Sequence, residues 1–558
     1  MAACVAALVL AACGGGGGGG GGGSTEVTRV GGKADDTGKP PTIGKPADIA
    51  PPAVAAAPVT LNGQFLYQAP PAREKGGLDY GAMVDKPVRF ARVKAVDLHD
   101  RVLASATTDA TGRYRMSVPP GTPLRVIAFA AVPNVGTDAA SNLIEVVDNT
   151  SHDTIHAVST TPMVLIGGDK PVLARIPAGG HAQGAAAGKA PGAADRLAGP
   201  FAILDTAYEA RARVLAAAPD LVFAPLSIFW STSNRASTVL DPAHGQIPGA
   251  AFYAIGGANL IFLNGEETLN TDEFDPSVIT HEWGHYFLSS LSRSDSVGGP
   301  HRLGDLLDRE VAFSEGFGDA LAGILLDQDH YIDTYGPLQA DSFAVDLKAG
   351  PSRDKGWFNE ASVMQVIWKL HQAAGLRPIV DALTGPFRTT VASTGIHAFN
   401  AALAQVSASA AARLAPLLTA QGIDSQADAW GLGETNDGGL AIALPMVQAV
   451  TPGTTLQNVC ITGQGDPAGH GNTLGRIAHL RFSVPADGRF QVRVEGPAGT
   501  DPDFRIHGRP GLDIPGFEPD GAIEDATVDL KAGDYLMAVS ARTLVPGSNC
   551  FTVSVKNR

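Results

Sequence analysis

The sequence predicts a multidomain protein in which a central α+β domain is flanked by an amino-terminal and a carboxy-terminal β-sandwich. Three observations favour this fold class. The chain has 558 residues, enough for three or four domains that each bury a core. Short runs of alternating apolar and polar residues recur before residue 176 and after residue 453, which is typical of half-buried strands. Between them, apolar residues recur mainly at helical spacing.

The amino-terminal sandwich is expected over residues 59–176. Its predicted strands cover 88–96, 102–107, 114–118 and 124–130, and turn-forming residues separate them. The turn from Thr108 to Tyr114 (TDATGRY) resembles one in the transthyretin-like or carboxypeptidase-regulatory β-sandwiches. That resemblance implies a structural or adhesive module without chemistry of its own.

The central domain is expected over residues 197–452, after a glycine- and alanine-rich linker at 177–196. An apolar strand at 258–264 precedes a helix that Asp275 caps, that Pro276 opens and that ends near residue 292. Further helices are predicted over 360–374, 379–383 and 396–411. Two interpretations of the entry Trp357-Phe358-Asn359-Glu360 are open: it lines the substrate cleft, or it is a buried helix start capped by Asn359, which is favoured.

The most informative motif is His281-Glu282-Trp283-Gly284-His285. Two imidazoles four residues apart lie on one face of a helix and can share one metal ion. Glu282 beside them can take a proton from a water on that metal. Gly284 costs the helix about 1 kcal/mol relative to alanine, so we expect it to make room for a close neighbour.

A catalytic zinc ion needs a third protein ligand and one open position. Glu315, in the run FSEGFGD at the start of an apolar helix, is the candidate ligand. Asp319 lies four residues further on the same face and can accept the second N–H of a ligating histidine. The small residues around Glu315 suit two helices that cross closely.

His281-Glu282-x-x-His285 followed by Glu315-x-x-x-Asp319 resembles the gluzincin metallopeptidases, the thermolysin-like group. The Glu-Gly-aromatic-Gly-Asp form and the preceding Gly298-Gly299-Pro300 resemble the fungalysin branch. The resemblance implies a zincin-like domain with one catalytic Zn²⁺ held by His281, His285 and Glu315. It also implies Glu282 as general base and Asp319 as the hydrogen-bond partner of a zinc ligand. Such enzymes use a further His or Tyr to stabilise the oxyanion, and the nearby candidates are His301, His330, Tyr331 and Tyr335.

These residues predict zinc-dependent hydrolysis of peptide bonds by an exported endopeptidase. The strand near residues 261–263 is expected to position an extended peptide or protein substrate. Two alternatives stay open: a catalytically inactive surface adhesin whose sandwiches bind a partner, and a zinc aminopeptidase.

Charge and composition narrow the range of partners. The net charge is −15, the isoelectric point is near 5.3, and no basic clusters occur, which argues against nucleic acid or anionic lipid as a partner. No apolar run after the amino terminus is long enough to cross a membrane.

The amino terminus predicts export. Leu10-Ala11-Ala12-Cys13 resembles the bacterial lipobox, which implies a signal peptide over residues 1–13 and a lipid on Cys13 in the cell envelope. No basic residue precedes the apolar stretch, so a simple cleaved signal is the alternative. Residues 14–58 are rich in Gly and Pro and are predicted to be a flexible tether.

The carboxy-terminal segment, 453–558, resembles the pre-peptidase C-terminal β-sandwich of secreted peptidases. Cys460 and Cys550 bracket it, and a disulfide between them is predicted for an oxidising compartment, with two buried free thiols as the alternative. Several loop acids are candidate Ca²⁺ ligands, although solvated loop carboxylates are favoured. These acids are Asp501, Asp503, Asp513, Asp520 and Asp525.

Overall fold

The computed structural model describes residues 27–29, 57–134, 142–166, 172–178, 196–255, 257–464, 471–508, 514–517 and 520–558. The predicted signal peptide with Cys13, nearly all of the predicted tether, most of the glycine- and alanine-rich linker and Asp513 lie outside the described residues. The described chain is a mixed α and β structure with sandwich-like sheet pairs at both ends.

The amino-terminal region is built from two sheets that face each other. One has the order β1-β11-β7-β4-β5 and the other has the order β13-β2-β3, with β6 also on β2. Buried side chains of β2, β4 and β7 fill the space between them, which confirms the alternating pattern of this segment. The strands of the region are β1 (Val27–Arg29), β2 (Val59–Ala69), β3 (Val84–Pro87), β4 (Arg92–Asp97), β5 (Val102–Thr107), β6 (Arg113–Val118), β7 (Pro123–Phe129), β8 (Ala131–Pro133), β9 (Asn142–Asp148), β10 (Thr154–Ile155), β11 (Ala157–Thr160), β12 (Met163–Val164) and β13 (Val172–Ile176).

The central region carries the helices and a five-stranded sheet path. Its elements in chain order are α1 (Gly199–Ala217), β14 (Leu226–Phe229), β15 (Arg235–Ala236), β16 (Gln246–Ile247), β17 (Ala251–Ile255), β18 (Ala258–Phe262), β19 (Gly265–Glu266), β20 (Asn270–Thr271), α2 (Pro276–Leu291), α3 (Arg309–Leu326), β21 (His330–Tyr335), β22 (Asp341–Asp346), α4 (Glu360–Ala374), α5 (Leu376–Ala382), α6 (Ile396–Val406) and α7 (Ala408–Ala420). Helix α2 packs on β17 and β18, and α3 packs between α2 and α4. No helix among the described residues has both the length and the apolar character needed to cross a bilayer.

The main sheet of the central region includes strands from both sides of the predicted linker at 177–196. Its order is β10-β9-β14-β18-β17, so β9 from the amino-terminal segment runs parallel to β14 of the central one. One apolar core is continuous across both regions. The two regions therefore share a sheet and a core, because a parallel partner for β14 comes from earlier in the chain.

The strand predicted to position a substrate lies inside this sheet. β18 is paired with β14 on one side and with β17 on the other, so its backbone groups have no room for another strand. The expectation for residues 261–263 is therefore wrong. The edge strand is β17, which runs antiparallel to β18.

The predicted helix over 396–411 is two helices. The chain leaves the helical conformation at Ser407, whose φ and ψ are −154° and 95°, and the Ser407 side chain accepts a hydrogen bond from the backbone N–H of Ala410 to open α7. A serine that caps a helix in this way favours a new start over continuation. At 379–383 the structure has α5 followed by a π-helical turn over Leu383–Phe387.

The carboxy-terminal region is a β-sandwich with its own core. One sheet has the order β23-β25-β30-β27-β28 and the other has the order β24-β31-β26-β29. Its strands are β23 (Gln448–Ala449), β24 (Thr455–Thr462), β25 (Ala478–Val484), β26 (Gly488–Glu495), β27 (Asp501–His507), β28 (Ile514–Phe517), β29 (Ile523–Leu530), β30 (Gly533–Thr543) and β31 (Ser548–Asn557).

The predicted disulfide between Cys460 and Cys550 is present and joins the paired strands β24 and β31. The two cysteines are 90 residues apart. We expect the double variant Cys460→Ser/Cys550→Ser to lose about 4–5 kcal/mol of unfolding free energy, because the reduced unfolded chain regains the entropy of an open loop of that length. Denaturant titration of the oxidised protein and the variant measures the loss, and equal midpoints would contradict it.

Candidate metal centre

Helix α2 brings the two histidines of the motif to one face. Pro276 occupies its first turn after the N-cap residue Asp275, as predicted, but the Asp275 carboxylate does not cap the helix and instead accepts hydrogen bonds from Thr334. Apolar residues on the opposite faces of α2, such as Trp283 and Phe287, are buried in the core. The Nε2 atoms of His281 and His285 lie 3.1 Å apart.

Helix α3 supplies the predicted third ligand. It begins at Arg309, four residues before the predicted start, because Asp308 caps it by accepting a hydrogen bond from the Glu310 N–H. Glu315 Oε2 lies 3.3 Å from Nε2 of His281 and 3.3 Å from Nε2 of His285. The three predicted ligands are therefore brought together.

The hydrogen bonds around these three residues indicate that the site fits a cation. His281 Nδ1 lies 2.9 Å from Asp319 Oδ1, and His285 Nδ1 lies 3.1 Å from Ser314 Oγ. With Nδ1–H donated to Asp319, His281 turns the lone pair of Nε2 toward Glu315, and His285 does the same if it donates to Ser314. Bond lengths of about 2.0–2.2 Å put tetrahedral zinc ligands roughly 3.3–3.6 Å apart, close to the spacings found. Converging lone pairs repel one another, and either protons on the imidazoles or a shared metal ion removes that repulsion.

Two glycines allow α2 and α3 to come this close. A Cβ on Gly284 would lie 3.2 Å from Cα of Gly318, so the prediction that Gly284 makes room for a neighbour is confirmed. A Cβ on Gly318 would lie 2.9 Å from Nδ1 of His281. The absence of a side chain at Gly318 therefore leaves the His281 ring the space to face Glu315.

We expect Gly318→Ala to weaken zinc binding about 10- to 100-fold, because the new methyl group displaces the His281 ring and its hydrogen bond to Asp319. Competition with a chromophoric chelator measures this affinity. Gly395→Ala is the matched control, since a Cβ there would meet its nearest neighbours at an ordinary 3.6 Å. Equal zinc affinity in the two variants would contradict the role given to Gly318.

Glu282 is buried beside these three candidate ligands, and burial raises the pKa of its carboxyl. Its Oε2 has no hydrogen-bond partner among the described residues. A carboxylate with a free oxygen and a raised pKa suits proton transfer near neutral pH.

Of the four candidates for oxyanion stabilisation, the structure places two at the site. His301 Nε2 lies 3.6 Å from Glu315 Oε2, and the ring of Tyr331 lies 6.0 Å from that of His281. His330 instead contacts Asp329 with Nδ1, and Tyr335 ends β21 opposite Asp341.

The sequence offers the helix entry 357–360 only as the less favoured candidate for lining the cleft, and the structure brings its last residue, Glu360, to this site. Glu360 is the first residue of α4, is buried, and places Oε2 3.5 Å from Nε2 of His301. Burial opposes the charge on His301, but Glu315 and Glu360 raise its pKa to about 9. Asn359 caps α4 as predicted, accepting a hydrogen bond from Ser362 N–H. The sequence feature that marks Glu360 is a carboxylate at the start of a buried apolar helix, because an unpaired buried charge is costly.

Four of the five carboxy-terminal acids considered for Ca²⁺ are among the described residues: Asp501, Asp503, Asp520 and Asp525. Among the described residues, none of them joins a group of three side chains that could hold a metal ion. Asp525 is bonded to Gln491 and Arg493, and Asp501 accepts a hydrogen bond from Gly521.

Comparisons with known proteins place the chain in no family. No family model matches it, and no curated protein matches it significantly. The pre-peptidase C-terminal domain of a collagenase from Bacillus anthracis is 17% identical over 20% of this chain and 94% of that domain, with a TM-score of 0.16. A putative carbohydrate binding protein from Pseudomonas aeruginosa is 11% identical over 22% of this chain and 90% of that one, with a TM-score of 0.13. A periplasmic inhibitor of g-type lysozyme from Aeromonas hydrophila is 15% identical over 20% of this chain and 96% of its own, also with a TM-score of 0.13. TM-scores this low support no inference about function.

Proposed function

We propose that this protein is a zinc-dependent endopeptidase whose central region is a zincin-like domain. The observation that carries the proposal is the convergence of His281, His285 and Glu315 within 3.1–3.3 Å of one another. Glu282 lies buried beside them with a free carboxylate oxygen. A structural site would close the coordination sphere with a fourth protein ligand, whereas the group found among the described residues has three candidate ligands with a proton acceptor beside them.

A bound zinc ion supplies Lewis-acid chemistry: it lowers the pKa of a water molecule and polarises the carbonyl of the substrate. Glu282 takes the proton from the attacking water and passes it to the nitrogen of the departing amine. Asp319 holds His281 by accepting its Nδ1–H, and Ser314 contacts Nδ1 of His285 in the same way.

His301 is the residue that we assign to the developing negative charge on the carbonyl oxygen. Its Nδ1 lies 3.1 Å from Gly299 O and donates to it, which leaves Nε2 to face the site. Glu360 Oε2, 3.5 Å from Nε2, favours the protonated ring, which can donate through Nε2. The ring of Tyr331 packs edge-on against that of His281, with the ring centroids 6.0 Å apart.

The substrate is proposed to bind along β17. β17 is the last strand of its sheet path among the described residues, and α2 packs on it. An edge strand can bind an extended peptide by adding it to the sheet. Because pairing of this kind uses the interior of a peptide, it favours cleavage within a chain over trimming at its end.

Export to the cell envelope, with a lipid on Cys13, is the proposed location. The disulfide between Cys460 and Cys550 supports an oxidising compartment. Metabolic labelling with a radioactive fatty acid tests the anchor: the wild type is expected to be labelled and Cys13→Ser to remain unlabelled.

Hydrolysis of casein by the purified protein tests the enzymatic proposal. We expect cleavage to stop on treatment with a chelator and to return when Zn²⁺ is added. Peptides with blocked and free amino termini separate the two peptidase classes, since an endopeptidase cleaves both and an aminopeptidase only the free form. Full activity after complete removal of metal would contradict the proposal.

A further inference from the structure

The carboxy-terminal sandwich reaches into the central region through a short segment, residues 472–474. Backbone hydrogen bonds join it to the chain just before α3: Asp308 N–H donates to Asn472 O at 2.8 Å, and Leu474 N–H donates to Leu306 O at 2.8 Å. Leu474 is buried in the central core, separate from the core of its own sandwich. The segment 472–474 therefore packs as part of the central region.

This segment also touches the loop that carries His301. The side chain of Asn472 is fully buried, and its Nδ2 donates to Pro300 O at 3.1 Å. Gly299 has a φ of +108°, and a Cβ there would lie 2.7 Å from Asn472 Nδ2. Gly299 and the side-chain amide of Asn472 are thus in close contact, and a side chain at position 299 would have no space.

The loop in turn sets the position of His301. The carbonyl of Gly299 accepts the hydrogen bond from His301 Nδ1, and Pro300, which Asn472 holds, lies between the two. That hydrogen bond orients the His301 ring, with Nε2 3.6 Å from Glu315 and 3.5 Å from Glu360. A shift of the loop would move Nε2 out of this setting.

We propose that Asn472, a residue of the carboxy-terminal sandwich, is a positioning residue of the central site that acts through His301. This role rests on the proposed peptidase function. The sandwich is thereby an integral part of the enzyme, and its segment 472–474 completes the site.

A double-mutant cycle on the full chain, loaded with zinc, tests this role. We expect Asn472→Asp, which replaces the donor by an acceptor of the same size facing Pro300 O, to lower kcat/KM about 10- to 100-fold through kcat. We expect the same change to cost nothing further in a His301→Ala background, because its effect passes through His301. Asn472→Ser, whose hydroxyl is too short to reach Pro300 O, provides a second variant in case the first fails to fold.

The matched control is Asn549→Asp. Asn549 is also fully buried in the sandwich, but among the described residues its side chain is hydrogen-bonded to Val545 and Gly547 of that same sandwich. We expect this control to lower the thermal midpoint and to leave kcat/KM of the folded enzyme unchanged. Additive effects of Asn472→Asp and His301→Ala, or equal loss in the control, would overturn the proposal.

Hydrogen exchange measured by mass spectrometry tests the contact between Asn472 and the loop without depending on peptidase activity. We expect Asn472→Asp and Asn472→Ser to speed exchange in a peptide covering residues 296–306 by about 10-fold or more, and to leave a peptide from α2 unchanged. Unchanged exchange in 296–306 would show that Asn472 does not hold the loop. If the loop loosens but the wild type cleaves no peptide, the proposed function fails while the contact stands.

Discussion

Glu282→Gln is expected to abolish peptide hydrolysis, with a fall in kcat of at least about 10²–10⁴-fold, because the amide cannot accept the proton of the attacking water. The same variant is expected to keep one zinc ion per chain, since His281, His285 and Glu315 are intact. Casein or peptide hydrolysis, together with metal analysis of the same sample, measures both properties.

The control for this variant is Glu495→Gln, the same chemical change at an exposed position on the carboxy-terminal sandwich. We expect it to retain the activity of the wild type. Full activity in Glu282→Gln would show that the general base is another group, and an inactive wild type would favour the alternative of a binding protein.

Glu315→Gln is expected to have the second largest effect, through the metal itself. The neutral amide is a poor zinc ligand, and it removes the negative charge that balances the cation. Burial would raise the pKa of Glu315, but His285 and His301 outweigh it and hold that pKa well below its ordinary value. The site is therefore built around a charged carboxylate, and dialysis of the variant against zinc-free buffer should remove the metal and the activity together.

Asp319→Asn provides the graded comparison, because Asp319 contacts His281 without reaching the other ligand atoms. We expect zinc affinity to fall about 10- to 100-fold in this variant, less than in Glu315→Gln. Calorimetric titration with Zn²⁺ ranks the zinc affinities of the two variants. A lower affinity in Asp319→Asn than in Glu315→Gln would contradict the assignment of Glu315 as zinc ligand and of Asp319 as the hydrogen-bond partner of His281.

The sequence predicts the local parts of this site well. Spacing along one helix places His281 and His285 together, and the run from Glu315 to Asp319 shares a second helix face. The capping signal at Asn359 depends on a few neighbouring residues and is confirmed. Pro276 opens its helix as predicted, but the side chain of Asp275 does not cap it. Both flanking sandwiches follow from alternating apolar patterns.

Other parts depend on contacts between distant segments, which short patterns do not encode. β9 joins the central sheet across the predicted linker, and β17 occupies the edge that the sequence assigns to β18. Glu360 and Asn472 reach the site from 45 or more residues away from Glu315 along the chain. An apolar strand pattern shows burial but does not show which strand lies next to it.

X-ray diffraction from crystals of the zinc-loaded protein, recorded on both sides of the zinc absorption edge, tests the central claim most directly. One anomalous peak is expected about 2.0–2.2 Å from Nε2 of His281, Nε2 of His285 and an Oε of Glu315. A peak at another cluster, such as Asp308, Glu310 and His479, or Glu315 turned away from the two imidazoles, would contradict it.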